Sequence, residues 1–154
     1  IDSLSPFPLL NGQKRIISYL QSKKVKIFVV TASIKWSVEP AAELYGIPSE
    51  QVLGVKTKID SQGRVTDVQD GPITWKKGKV DALLEATQGV KPFFCAGNTL
   101  GDFDLLESST DLRLAMALSP PQSRLFQDES LLADEAQKRG WFCYRPWNKK
   151  DTIP

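Results

Sequence analysis

Three short stretches of the chain carry side chains fit to bind an anion and its counter-ion. In VVTASIKW, 29–36, a run of strand formers stops at the hydroxyl of Thr31, and Ala32 and Ser33 lead into a helix pattern. A hydroxyl at a strand end, beside the free N–H groups of a helix start, can bind a phosphate without spending charge. The same hydroxyls would also serve as plain helix caps. In WKKGKV, 75–80, Lys76, Lys77 and Lys79 lie just before or inside a first helical turn. A cation is unfavourable there, because the N-terminal end of the helix dipole is itself positive. An anionic partner for one lysine relieves that conflict, although a solvated basic turn has the same composition. In AGNTLGDFDLLE, 96–107, a strand ends at Gly97, Asn98 follows, and Asp102 comes four residues later. Oxygen-bearing side chains gathered beyond a strand suit Mg²⁺, a hard cation. An ordinary strand–helix turn capped by Asp102 would use the same residues.

The elements that must position these stretches alternate in type. Apolar spacing gives a helix over 10–22 with Asn11 as its cap, and VKIFVV, 25–30, reads as a buried strand. A helix over 35–45 ends at Gly46, with Pro48 blocking its continuation. Strands over 51–59 and 64–68 flank the turn Asp60-Ser61-Gln62-Gly63. A helix over 78–87, a strand within 90–97, a short helix through Leu105 and Leu106, and a strand over 112–118 follow. A helix over 123–138 stopping at Gly140, a last strand over 141–144, and a polar frayed end, NKKDTIP, complete the chain. Strands alternating with helices predict an α/β fold, a three-layer α/β/α Rossmann-like parallel sheet. Ligands in such sheets sit beyond the carboxyl ends of strands, where all three stretches fall.

Composition narrows the chemistry. The chain has 154 residues, 41% hydrophobic and 25% charged, with net charge +2. It suits one globular domain, with no basic footprint for nucleic acid and no apolar run long enough to span a bilayer. A soluble protein of the cytoplasm or the periplasm is expected, with nothing to decide between the two compartments. There is no histidine, so no histidine base, nucleophile or metal ligand comes from this chain. Cys95 and Cys143 lie far apart and form no CxxC pair, which argues against zinc. Both sit in apolar runs and read as buried free thiols, with a disulfide between them left open.

Taken in order, the hydroxyl at a strand end, the lysine at a helix start and the acidic loop after a strand resemble motifs two, three and four of the haloacid dehalogenase superfamily. The likeness is to its phosphoserine phosphatase-like and phosphorylcholine phosphatase-like branch. GDFDLLE is similar to that branch's ND-x-x-M-L. The resemblance implies a Mg²⁺-dependent phosphatase acting on a small phosphorylated metabolite. Thr31, with Ala32 and Ser33, would bind the transferring phosphoryl group. Lys77 would neutralise it and the nucleophile, with Lys79 as the alternative if the motif slips by two. Asn98 and Asp102 would serve the metal. Trp36 follows the phosphate turn; its ring could pack at a rim or face a quaternary ammonium group.

Two departures from the family pattern matter. Asn98 stands where the family has an acidic ligand, so one negative charge is lost, and Asp102 is the carboxylate expected to compensate. The family's Asp-x-Asp nucleophile motif has no counterpart ahead of Thr31; the nearest match, Asp102-Phe103-Asp104, lies in the wrong element. Residues 1–154 are therefore expected to be the C-terminal part of a longer protein. A nucleophile strand and a cap would lie upstream, and the fragment alone would be inactive. The alternative implied by Asn98 is a catalytically inactive phosphate-binding or regulatory domain on the same scaffold.

Overall fold

The computed structural model describes residues 10–146; the tail NKKDTIP lies outside the described residues. The elements run α1 (Asn11–Ser22), β1 (Val29–Ile34), α2 (Lys35–Glu43), β2 (Val52–Val55), β3 (Thr57–Ile59), β4 (Val65–Gln69), α3 (Lys77–Ala86), β5 (Phe94–Gly97), α4 (Phe103–Ser108), β6 (Leu112–Met116), α5 (Phe126–Lys138) and β7 (Phe142–Tyr144). This is the α/β fold with parallel sheets that the alternation of patterns predicts. The residues fold as two compact units that divide between Ile73 and Thr74. No helix among the described residues is long and apolar enough to cross a membrane.

In the first unit β1 and β2 pair in parallel. Ala42, Ile47 and Val52 are buried, and Ile17, Ile27, Val29, Val38 and Tyr45 pack on them. Gly46, at φ 68°, ends α2 as expected: its N–H donates to Glu43 O, and Ile47 N–H reaches back to Ala42 O. Two expectations are corrected here. Leu10, not Asn11, holds the cap position of α1, and no side chain caps it. The stretch expected as one strand over 51–59 is two. Lys56 lies between β2 and β3, and its carbonyl accepts from Asp70 N–H, so the chain leaves the parallel pair and joins the β3–β4 hairpin. At that hairpin's turn Asp60 accepts from Gln62 N–H, Arg64 N–H and Arg64 Nε. The Arg64 backbone bond is the main cause holding its carboxyl below the usual range.

In the second unit β5, β6 and β7 form a parallel sheet in that order. Leu106 of α4 and Leu132 of α5 are fully buried in this unit. Each such leucine contributes roughly 1.5–3 kcal/mol. Cys95 aligns with Arg113 on β6, and Cys143 with Ala115 on the same strand. The Cα atoms of the two cysteines are therefore two strand spacings apart and offset by two residues along the strands, about 11–12 Å, beyond the roughly 7 Å that a disulfide can bridge. Cys95 is buried as expected, but Cys143 is exposed, because β7 is the sheet edge. Burial pushes the Cys95 thiol up to about 11, against a smaller opposing pull from Arg113. Its share of stability is thus whole below pH 9 and is lost as pH rises through about 11. Alkylation of the native protein at about pH 8 is expected to modify Cys143 and to leave Cys95 untouched until the chain unfolds. Equal reaction rates for both thiols, read by peptide mass, would contradict this placement.

Candidate active site

Regular pairing on β1 stops just before the hydroxyl. Val30 aligns with Leu53 and Ile34 with Val55, so Thr31, Ala32 and Ser33 face the single residue Gly54. This bulge lets the backbone of 31–33 swing out of the ladder while the strand continues to Ile34. The strand therefore both starts and ends later than the expected 25–30, at Val29–Ile34, and Thr31 opens the bulge rather than ending the strand. Inside the bulge Ser33 N–H donates to Thr31 Oγ1 at 3.1 Å. Thr31 is half-buried, and Ala32 and Ser33 are exposed. No sequence pattern marks Gly54. A Cβ there would meet Ser33 O at 2.9 Å and Lys35 N at 3.0 Å, so only glycine lets the bulge fold over β2. Lys35, the first residue of α2, is tied back: its ammonium donates to Ser49 O and Val52 O. Trp36 is half-buried and lines a groove of about 390 Å³ with Glu39, Glu43 and Pro48, outside the core cluster of its unit.

The lysine and the acidic loop meet in the second unit. Lys77, the first residue of α3, is exposed. Lys79, two residues on, turns inward and is 7% exposed. Its ammonium donates to Asp102 Oδ1 at 2.5 Å, in an ion pair whose side chains are 9% and 10% exposed. Asp102 Oδ2 accepts from Asn98 N–H at 2.9 Å and from Thr99 N–H at 3.2 Å. Asp102 thus closes the capping box of the turn at Leu100–Asp102, as one reading of the sequence expects, and holds a buried cation as well. Gly97 makes room for it. A Cβ at Gly97 would lie 2.8 Å from both Asp102 Cγ and Leu106 Cδ1.

Asn98 is exposed beyond β5. Its side-chain Nδ2 donates to Glu129 Oε1 at 3.1 Å. Glu129, on α5, is 5% exposed, and its other oxygen accepts from Ser119 N–H at 2.7 Å. Sequence reading missed Glu129, since 31 residues separate it from Asn98 and a lone Glu in an amphipathic helix carries no signal of its own. Asp102 was the carboxylate expected to make up for Asn98, but its two oxygens serve Lys79 and two backbone donors. The carboxylate that touches the Asn98 side chain is Glu129. Oxygen donors of this type suit Mg²⁺, and the Asn98 amide oxygen is an acceptor with no partner among the described residues. No group of three His, Cys, Asp or Glu gathers around a metal position among the described residues.

The order of these features matches a known family. The haloacid dehalogenase-like hydrolases match residues 4–107, which include the bulge at Thr31, the Lys79–Asp102 pair and Asn98. The chain belongs to that family. The fold is also seen in solved structures. A conserved Anaerococcus prevotii protein of unknown function superposes with TM-score 0.70 at 24% identity, over 88% of this chain and 37% of its own. A Bordetella pertussis protein of unknown function gives 0.73 at 22% identity, over 95% and 62%. A phosphoserine phosphohydrolase-like protein from Francisella tularensis gives 0.62 at 18%, over 94% and 62%. The chain spans less than two thirds of each of these proteins. No curated protein matches it.

Proposed function

We propose that the full-length protein is a Mg²⁺-dependent phosphatase of small organic phosphate monoesters, with an aspartate outside residues 1–154 as nucleophile. The observation that carries this reading is the buried Lys79–Asp102 pair directly below Asn98, in a chain of the haloacid dehalogenase-like family. A buried lysine and carboxylate locked together at the end of a parallel strand are a preorganised charge pair, placed where such folds bind ligands.

In this reading the aspartate attacks phosphorus, the bond to the leaving oxygen breaks, and an aspartyl-phosphate forms. A second aspartate protonates the leaving oxygen, and water then hydrolyses the acyl-phosphate. This chain contributes charge and donors. Thr31 gives a hydroxyl and the bulged backbone at Ala32 and Ser33 gives N–H groups to phosphoryl oxygens. Lys79 takes the neutralising role first expected of Lys77, because it is the lysine that is buried and paired. Mg²⁺, when bound, would be held through the Asn98 amide oxygen with Asp102 behind it, and it supplies positive charge to the transferring group. Among the described residues β1 pairs only with β2, and β5 only with β6. Open strand edges are costly and aggregation-prone, which supports a further strand beside them.

The reading is tested at Thr31. In the full-length protein Thr31→Ala is expected to lower turnover of a phosphate monoester by roughly 10²–10³-fold, and Thr31→Ser to keep most of it. Near-normal turnover in Thr31→Ala would remove Thr31 from the site.

A further inference from the structure

We infer that Glu129 is a positioning residue: it fixes the Asn98 amide with Oδ1 turned outward, and it carries at position 129 the negative charge missing at 98. An ionised carboxylate has no hydrogen to give. The atom of Asn98 that faces Glu129 Oε1 at 3.1 Å must therefore be Nδ2, and the amide cannot flip without setting oxygen against oxygen. The other Glu129 oxygen is fixed by Ser119 N–H at 2.7 Å, so the carboxylate itself cannot turn away. Glu129 is 5% exposed, and its two partners are neutral donors. A buried carboxylate with neutral partners favours a nearby cation. Asn98 Oδ1, the other end of the same amide on an exposed residue, is where that cation would be met. The amide's direction rests on hydrogen-bond chemistry alone; what Oδ1 faces rests on the phosphatase reading above.

The arrangement makes a sharp demand on substitutions. Asn98→Asp alone sets a carboxylate against Glu129. Glu129→Gln alone removes the bar to a flip: the side-chain nitrogen it introduces donates to Asn98 Oδ1, the oxygen that remains keeps Ser119 N–H, and Oδ1 is turned inward. Asn98→Asp with Glu129→Gln satisfies everything. The side-chain nitrogen that Glu129→Gln introduces donates to the new carboxylate, and the side-chain oxygen that remains keeps Ser119 N–H.

The test is thermal unfolding of the four full-length proteins in EDTA, followed by calorimetric titration with Mg²⁺ alone. Asn98→Asp alone is expected to lower the unfolding midpoint by roughly 4–8 °C, whereas Glu129→Gln alone and the double variant should stay within about 2 °C of the parent. Glu129→Gln is expected to weaken Mg²⁺ binding by about 10-fold or more, and the double variant to recover it. A double variant no more stable than Asn98→Asp alone would overturn the inference, whatever Mg²⁺ does. Recovered unfolding with no Mg²⁺ binding in any protein would support the amide's orientation and count against the phosphatase reading instead.

Discussion

Lys79→Ala is expected to destabilise the protein by about 3–5 kcal/mol, the cost of leaving a buried carboxylate without its cation. Asp102 sits 7% exposed, so water cannot replace the ammonium that Lys79 holds at 2.5 Å. Its remaining donors are the N–H groups of Asn98 and Thr99, which are dipoles and not charges. Lys77→Ala is the matched control. Lys77 is exposed at the start of α3, and its loss should change stability by no more than about 0.5 kcal/mol. Urea unfolding of the two variants separates them. Similar midpoints for both would mean that the inward lysine contributes no more than the outward one.

Gly97→Ala should be nearly as damaging for a steric reason. The added methyl would reach Asp102 Cβ, Asp102 Cγ and Leu106 Cδ1 at distances no real contact allows. Leu106 is fully buried and Asp102 is held from three sides, so neither can move aside cheaply. Overpacking of this kind costs roughly 1–3 kcal/mol, occasionally more. It should also pull Asp102 away from Asn98 N–H. Gly101→Ala is the milder comparison, since its methyl would meet Thr99 Oγ1 and Trp75 Nε1 at 3.3 Å. The unfolding midpoint of Gly97→Ala should fall well below that of Gly101→Ala. An order reversed from this would contradict the packing described at the end of β5.

What the sequence made legible follows from range. The alternation of strands and helices is local periodicity, and it identified every α-helix and nearly every strand. Thr31 and Asp102 were legible because their neighbours form a recognisable order along the chain. The choice between Lys77 and Lys79 was not, because both lie in the first turn of α3 and only packing decides which faces inward. Gly54 and Glu129 were invisible for a related reason. Each acts on a partner distant in sequence: Gly54 on the bulge at Ser33, and Glu129 on Asn98 across 31 residues. No periodicity or motif encodes such a contact. The bulge itself misled the strand boundary, since 31–33 leave the ladder without ending the strand.

The measurement that bears most directly on function is phosphate release from p-nitrophenyl phosphate by the full-length protein in Mg²⁺, with Lys77→Ala and Lys79→Ala assayed beside it. Release by the parent and by Lys77→Ala, with a fall of roughly 10²-fold or more in folded Lys79→Ala, is the expected result. A parent protein that releases no phosphate from this or any other small monoester would contradict the phosphatase reading. So would equal turnover in all three.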